Sequence, residues 1–581
     1  MNIFKTIQQD IHKLVHRVFP SVTDATLARI SVEPPRDATH GDMATNAAMI
    51  LSKEAGKPPR AVAEMLVAGL AEIPGVTRVD IAGPGFINIA LKPDAFKLIV
   101  PHVLESGPKH FGDSDLGGKT PVNVEYVSAN PTGPLTVGHA RGAIFGDATA
   151  NLMAKAGFAV NREYYINDAG RQVEVLTDSV TLRIREALGE NIGEIPAGHY
   201  PGEYLKDVAK AYVEKHGSDF SDRAQVRAFA IAFLLNEIKI DLGEMGVVHD
   251  EFVSEAKILG DGEVESALEA LTSQGLIYQG VLEPPKGKLP DDWEEREQTL
   301  FKSTQFGDDV DRPLKKSDGS STYFANDIAH FFHQYKKGYK KLVCVVGADH
   351  GGYVKRAKSA VKAMSAGAAE LDMPLVAIVH VTENGNPVRM SKRAGTFITL
   401  RDMLERVGAG VMRFIMLTRD AGQTLEFDYA RVTEQSKDNP YFYVQYAHAR
   451  CCSVMKHAVA MFGDLPDDML AKTSLASLER PEEMALVKLI ATFPRVVEQA
   501  AVAEEPHRIA YFAQDVASAF HAWWNKGRDD GTLRFLIEGN KDLSMARIAL
   551  VRSVAVTIAA ALNVIGVPPL QELRSEVEIA A

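Results

Sequence analysis

The chain has 581 residues, more than one hydrophobic core organises, so about three domains are expected. Its 46% hydrophobic and 24% charged residues are typical of a soluble globular protein, and its 3 cysteines include no CxxC pair, which excludes a disulfide framework and a cysteine zinc site. The net charge of −12 is unfavourable for nucleic-acid binding by the whole surface, although basic runs are concentrated between residues 336 and 401.

Residues 1–110 predict a small α+β domain that opens on an amphipathic helix without the apolar run of a signal peptide. We expect a second helix from Met43 to about Glu54 and a pair of strands over 76–82 and 85–91. On the second strand, Phe86 and Asn88 alternate with apolar residues and share one face. They are either a core aromatic beside an exposed amide, which the sequence alone favours, or a ring and an amide that contact a nucleic-acid base.

The stretch from 122 to 152 combines a strand, a turn and a helix. Its strand candidate covers Asn123 to Ser128, turn residues follow at 130–134, and apolar residues recur at helical spacing from Gly138 onward. A strand, a Gly/Pro loop and a helix N-terminus form a nucleotide site in open α/β sheets. We therefore expect Gly138 to let a ligand approach the backbone and His139 to direct a ring N–H into the same space.

The patterns together predict a multidomain α/β protein. A Rossmann-type domain with a parallel sheet is expected over 118–425, with a charged helical insertion at about 180–300. The segment 167–170 is predicted to cap a helix. From 438 to 581 the pattern is helical and predicts an all-α bundle, and its apolar segment 549–567 is expected to be a packed helix because it contains Arg552 and Asn563.

Two short segments carry a resemblance to a known class of enzymes. Thr136-Val137-Gly138-His139 and Arg389-Met390-Ser391-Lys392-Arg393 resemble the HIGH and KMSKS signatures of class I aminoacyl-tRNA synthetases, in the expected order. The resemblance implies that His139 and Lys392 are catalytic. The implied ATP-binding residues are Thr136, Gly138, His139, Met390, Ser391 and Lys392. The whole HIGH region comprises Ala129, Asn130, Pro131, Thr132, Gly133, Pro134, Leu135, Thr136, Val137, Gly138 and His139.

The chemistry of amino-acid activation suits these residues. Attack of a carboxylate on the α-phosphate of ATP spreads negative charge over that phosphorus and the leaving pyrophosphate, so catalysis depends on positioning and preorganised donors. A helix N-terminus, the His139 ring and the Lys392 ammonium are such donors. No nucleophilic side chain is needed, because the carboxylate of the substrate attacks.

A finer resemblance, to the arginyl-tRNA synthetase family, covers essentially the whole chain. The matching segments are 125–134, 304–309, 323–327, 347–350 and 443–450, with 40–42 and 83–88 near the N-terminus. The resemblance implies an arginine pocket formed by Glu125, Ser128, Asn130, Tyr323 and Asp327. A guanidinium prefers a bidentate carboxylate beside an aromatic ring, and Tyr323 and Asp327 are four residues apart on a predicted helix. Without the resemblance, this pair is an ordinary helix surface pair.

The sequence departs from the family pattern at the first HIGH position, which is Thr136 rather than histidine. Either its hydroxyl substitutes for that imidazole or the contribution is lost. Arg389 and Arg393 keep positive charge at the ends of the second signature. Lys392 is present, which favours a catalytic loop.

The roles of the terminal domains follow from the resemblance alone. It implies that residues 1–110 recognise the tRNA elbow and that 438–581 bind the anticodon. The implied tRNA contacts are Phe86, Asn88, Tyr443, Tyr446, His448 and Arg450. The implied partners are tRNA(Arg), L-arginine and ATP with Mg²⁺ as substrate, for a cytoplasmic monomer with no prosthetic group, no metal site and no membrane contact. Arginine activation in this family typically requires bound tRNA. A different class I synthetase and a non-catalytic tRNA-binding paralogue are the alternatives.

Overall fold

The computed structural model describes residues 1–35, 37–282, 296–388 and 397–573. The N-terminal domain packs helices on an antiparallel sheet with strand order β1-β2-β4-β3. Its elements are α1 (Ile3–Val18), α2 (Asp24–Leu27), β1 (Val32–Glu33), a 3₁₀ helix (Ala38–His40), β2 (Met43–Thr45), α3 (Ala47–Ala55), α4 (Pro59–Ala71), β3 (Val76–Ala82), β4 (Phe86–Leu91), α5 (Pro93–Lys97) and α6 (Ile99–His110).

The helix predicted from Met43 is wrong at its start. Met43–Thr45 is an inner strand of this sheet, since β2 pairs with β1 on one side and β4 on the other, with Met43 opposite Ile89. The helix begins only at Ala47. A strand of three residues carries almost no local signal, and here the two neighbouring strands determine its conformation.

The central domain is built on a parallel sheet with strand order β13-β11-β5-β6-β7. Its elements are β5 (Pro121–Glu125), α7 (Val137–Lys155), β6 (Ala159–Ile166), α8 (Arg171–Ala187), α9 (Tyr204–His216), α10 (Arg223–Glu244), β7 (Glu251–Ser254), α11 (Glu255–Gly260), α12 (Glu263–Ser273), β8 (Ile277–Gly280), β9 (Gln298–Phe301), a 3₁₀ helix (Ser303–Phe306), β10 (Arg312–Pro313), α13 (Tyr323–Lys336), β11 (Lys341–Cys344), β12 (Val346–Gly347), a 3₁₀ helix (Ala348–Tyr353), α14 (Val354–Met364), β13 (Glu370–Asp372), β14 (Leu375–Val376), β15 (Val379–Glu383), β16 (Asn386–Pro387), α15 (Leu400–Val407), α16 (Ala409–Met416), β17 (Leu425–Asp428) and α17 (Tyr429–Thr433). The strand order reverses between β5 and β11, and ligands of open α/β sheets bind at such a switch point.

Within the stretch predicted as one insertion, the chain leaves this sheet twice. Helices α8, α9 and α10 form a subdomain with its own apolar core between β6 and β7. The chain then returns to the sheet as β7. The described residues between 255 and 322 leave it again and include the antiparallel sheet β10-β9-β8.

The C-terminal domain is the expected helical bundle. It comprises α18 (Pro440–Phe462), α19 (Asp467–Leu470), α20 (Pro481–Ala491), α21 (Phe493–Ala503), α22 (His507–Asp529), a 3₁₀ helix (Gly531–Leu533) and α23 (Lys541–Val564). Helix α23 is long and apolar enough to span a membrane by composition, but 94% of its most apolar window is buried, so it is the core helix of the bundle, as predicted. Helix α6 also packs along α23, and this contact attaches the N-terminal domain to the bundle.

Candidate active site

The candidate arginine pocket starts where the chain turns sharply after β5. Val127 and Ser128 have φ values of 71° and 39°, a strained conformation for residues with side chains, and the Ser128 N–H donates to the Tyr126 carbonyl at 3.0 Å. The turn brings the Ser128 hydroxyl back to Glu125, to which it donates at 2.9 Å, while it accepts from the Tyr165 N–H at 3.1 Å. The Ser128 side chain therefore orients Glu125 in this structure.

Three side chains that sequence reasoning missed fix the loop after this turn. The Asn167 amide donates to the Ser128 carbonyl at 3.1 Å, and the Tyr164 hydroxyl donates to the Ala129 carbonyl at 2.8 Å. The Tyr204 hydroxyl donates to the Thr132 carbonyl at 2.7 Å. Tyr204 opens α9, far along the chain, so its contribution had no local signal.

Thr136 is the N-cap residue of α7, and His139 lies in the first helical turn. The Thr136 N–H donates to Nδ1 of His139 at 3.0 Å, and the Thr136 hydroxyl lies 3.2 Å from the same nitrogen. Since Nδ1 accepts, a neutral His139 ring carries its proton on Nε2. Gly138 is exposed, and an added Cβ would meet only the Thr136 hydroxyl, at 3.6 Å, so the helix N-terminus is open to a ligand.

The start of α7 lies next to residues 399 and 400, which follow the second signature along the chain. The Leu400 N–H donates to the Leu135 carbonyl at 2.8 Å, and Thr136 forms an antiparallel bridge with Thr399. This bridge places the chain that follows the second signature against the start of α7. Met390, Ser391 and Lys392 themselves lie outside the described residues.

The predicted pair on α13 divides into an exposed ring and a half-buried acid. Tyr323 is 72% exposed, and the Lys316 ammonium lies 5.3 Å from its ring centre. Asp327 accepts a 2.5 Å hydrogen bond from the Tyr353 hydroxyl, a partner that sequence reasoning missed. Burial raises the pKa of Asp327, while the Tyr353 hydroxyl acts in the opposite direction.

Glu125 and Asn130 are in contrasting environments. Glu125 ends β5 at the switch point and is buried; burial raises its pKa, the His330 imidazole opposes that rise, and the Glu163 carboxylate adds to it. Asn130 is exposed, and its amide donates to Gln172 at 2.6 Å. The pocket as described thus has a buried acid and a peripheral amide.

The segment 167–170, predicted to cap a helix, caps α11 in the structure rather than α8, the helix that follows it. Helix α8 begins after Gly170 without a side-chain cap. Asp168 instead accepts from the Ser254 hydroxyl at 2.6 Å and from the Ala256 N–H at 2.8 Å, at the start of α11. The capping residue type was right, but the tertiary structure presents it to another helix N-terminus.

Phe86 and Asn88 line one open cavity of about 660 Å³ in the N-terminal domain, together with Pro34, His40 and Asn46. Phe86 is 43% exposed, whereas Asn88 is buried. The interpretation as a core aromatic beside an exposed amide is therefore wrong. An exposed ring on a groove can stack on an unpaired base.

The residues of the helical bundle that are predicted to contact tRNA differ in how far they are buried. Tyr443 and Tyr446 are half-buried, the Arg450 guanidinium lies 5.1 Å from the Trp524 ring centre, and it donates to His521 at 3.0 Å. His448 is buried, and its Nδ1–H donates to the Leu570 carbonyl at 2.7 Å. This side chain ties α18 to the segment after α23, and its predicted contact with tRNA stays a prediction.

Comparisons with known proteins agree with this architecture. Family models match the arginyl tRNA synthetase N terminal domain over 1–91, the catalytic domain of class I (R) tRNA synthetases over 100–230 and the DALR anticodon binding domain over 444–573. Arginine–tRNA ligases of Parvibaculum lavamentivorans and Xanthobacter autotrophicus are 52% and 51% identical to the chain, each over 99% of this chain and 100% of the relative.

A solved structure has the same fold. The arginyl-tRNA synthetase of Thermus thermophilus superposes with a TM-score of 0.74 at 21% identity, over 98% of this chain and 100% of that one. The three domains and the full-length identity to the two bacterial relatives lead to one conclusion: the chain belongs to the arginine–tRNA ligase family, the class I arginyl-tRNA synthetases.

Proposed function

We propose that this chain attaches L-arginine to tRNA(Arg), with arginine bound at the carboxyl end of β5 and ATP at the N-terminus of α7. The observation that carries the proposal is the position of Glu125 at the switch point, as the last residue of β5 before the loop that leads into α7 and His139. One loop then serves both reactants. The reaction is that named for the full-length bacterial relatives.

In the first step, the arginine carboxylate attacks the α-phosphorus of Mg-ATP, a phosphorus–oxygen bond forms, and the bond to the pyrophosphate breaks. The Nε2–H of His139 and the N-terminus of α7 donate to the phosphate oxygens that gain charge. Lys392 supplies a further cation in this proposal. In the second step, a hydroxyl of the terminal ribose of tRNA attacks the arginyl carbonyl carbon, and AMP leaves.

Specificity for arginine comes from acids rather than from pocket size. Asp327 and Glu125 pair the guanidinium, Tyr323 covers it, and Ser128 and Asn130 hold the α-amino end. Citrulline has the same length but no charge, so it would leave a buried carboxylate poorly paired. Phe86, Asn88, Tyr443, Tyr446 and Arg450 are the proposed tRNA contacts, in a monomer located in the cytoplasm.

The test is aminoacylation of total tRNA with each amino acid in turn. We expect a product only with arginine. A product with another amino acid would identify a different class I synthetase, and no product would favour the tRNA-binding paralogue. We expect His139→Ala and Lys392→Ala to reduce ATP–pyrophosphate exchange strongly, measured with tRNA present, and to leave tRNA binding intact.

A further inference from the structure

Two buried carboxylates face each other beside the proposed arginine pocket. Glu125 and Glu163 are register partners on the adjacent parallel strands β5 and β6, and Cys344 is the partner of Glu125 on β11. Register partners project from the same face of a sheet, about 5 Å apart. Glu163 is fully buried and Glu125 is 6% exposed, so two like charges here repel without solvent screening.

One imidazole lies over this pair. His330, on α13, donates from Nε2 to Glu163 at 2.7 Å, and its Nδ1 is 3.8 Å from Glu125. Gln334, one turn further along α13, also donates to Glu163 at 2.7 Å. The His330 ring stacks on Tyr165 with 3.9 Å between ring centres. This stacking and the hydrogen bond to Glu163 together fix the orientation of the ring.

We infer that His330 is a positioning residue of the arginine pocket: Glu163 anchors it as an imidazolium, and its charge keeps Glu125 ionised and available to the guanidinium. The inference rests on the proposed role of Glu125 in binding arginine. Without a cation, the cross-strand repulsion from Glu163 favours a protonated Glu125. A neutral carboxylic acid cannot form the ion pair that distinguishes arginine from uncharged analogues.

The surrounding charges favour an imidazolium at His330 and an anion at Glu163, while burial still raises the pKa of Glu125 overall and the His330 charge opposes that rise. The ionisable groups around His330, taken from every element packed on it, are Glu125, Glu163, Tyr165, Glu255, Asp327 and Cys344. Burial alone would lower the pKa of His330, but the Glu125 and Glu163 carboxylates raise it overall. Burial likewise works against the Glu163 anion, but the hydrogen bond from His330 lowers the pKa of Glu163 overall.

The test measures the KM for arginine against pH in ATP–pyrophosphate exchange with tRNA present. His330→Gln removes the cation and raises the pKa of Glu125, so we expect the KM near pH 7 to rise about tenfold and to recover as the pH rises. The profile should move about 1 to 3 pH units toward higher pH, the effect of one charge at this distance. We expect the kcat at saturating arginine to change less, because His330 touches no reacting atom.

A matched control lies on the same helix. His333 is also paired with an acid, but its partner is Glu263 on α12, 3.5 Å from its Nδ1, rather than a carboxylate of the sheet. We expect His333→Gln to leave the arginine KM profile unchanged. If His330→Gln does not fold, the single variant Glu163→Gln is compared with the double variant Glu163→Gln/His330→Gln. Residue 163 is neutral in both, so loss of His330 leaves no unpaired buried charge at that position. A displacement in the same direction but smaller is expected between these two variants, because without the Glu163 carboxylate His330 is charged less of the time, and identical profiles overturn the inference.

Glu125→Gln, measured in parallel, separates the two levels of the proposal. One outcome is a raised arginine KM in Glu125→Gln and a KM–pH profile of His330→Gln that superimposes on that of the unmodified chain. This outcome overturns the inference and leaves the assignment of the arginine pocket unchanged. An unchanged KM in Glu125→Gln overturns the pocket assignment itself. A loss of kcat and thermal stability in His330→Gln, without displacement of the KM profile, also overturns the inference, because it indicates a purely structural role.

Discussion

The backbone N–H of Thr136 donates a 3.0 Å hydrogen bond to Nδ1 of His139. The main chain, rather than the side chain at the first signature position, thus selects the ring tautomer that presents Nε2–H to a phosphate. The orientation of the His139 ring therefore does not require a histidine at position 136. The hydroxyl adds a second, longer contact to the same nitrogen, at 3.2 Å.

Thr136→Ala should therefore reduce ATP–pyrophosphate exchange only mildly. It keeps the backbone donor and loses only the hydroxyl contact with His139, about 1 kcal/mol, so ATP–pyrophosphate exchange should fall by no more than about fivefold. His139→Ala, assayed in parallel, should fall much further. Equal losses in the two variants would show that the Thr136 hydroxyl is needed directly.

Tyr353→Phe should weaken arginine binding. The substitution removes the hydroxyl that donates to Asp327 at 2.5 Å, and hydrogen bonds to charged groups contribute about 1.5 to 3 kcal/mol, so the arginine KM should rise about tenfold or more. Tyr511→Phe is the control, because Tyr511 donates to the Thr418 carbonyl from α22 in the bundle. Equal KM values for Tyr353→Phe and the unmodified chain would exclude Asp327 from the pocket.

Phe86→Ala should raise the KM for tRNA and leave the KM values for arginine and ATP unchanged. The ring is exposed on its groove, and stacking of a base on an aromatic ring contributes about 1 to 3 kcal/mol. Met65→Ala removes another exposed apolar side chain of the same domain, outside the groove, and should have no effect. A tRNA KM that does not respond to Phe86→Ala would contradict the proposed contact.

His249 should make the chain sensitive to acid. Burial lowers the pKa of His249 to about 4 from its usual 6.5, and its ring packs 4.3 Å from that of Tyr126. Between these pH values the unfolded chain binds more protons, so the free energy of unfolding falls as the pH drops below about 6.5, by roughly 2 kcal/mol at pH 5 from this group. Urea titrations at pH 7 and pH 5 should show a smaller pH dependence for His249→Phe. Parallel curves would exclude His249 as the source.

Arg413 should be essential for stability. It is buried, pairs with Asp147 on α7 and donates to the Ile565 carbonyl at 2.8 Å, so it joins α7 to the end of α23. Arg413→Ala leaves the Asp147 carboxylate buried without its cation and should cost about 3 to 5 kcal/mol in urea unfolding. Arg413→Met/Asp147→Leu should recover much of that loss. A loss below 1 kcal/mol for the single variant would contradict this role.

Local patterns were enough to locate the domains and most of the long elements. The helix that carries Tyr323 and Asp327 and the helices of the C-terminal bundle follow from periodicity, because apolar spacing reports the face that a helix buries. The family signatures added the positions of His139 and Glu125. The strand at 43–45 and the return of β7 to the sheet escaped prediction, since both depend on partners far along the chain.

The sequence by itself determined the three-domain order and the family, because contiguous segments and short motifs carry both, and it predicted which side chains react. Only the tertiary structure decided how those side chains are held. It placed Glu163 in register with Glu125, set His330 over both, directed Tyr353 to Asp327 and moved the cap of Asp168 to α11. The reason is physical: register, burial and charge pairing arise between segments many residues apart, and no local pattern carries them.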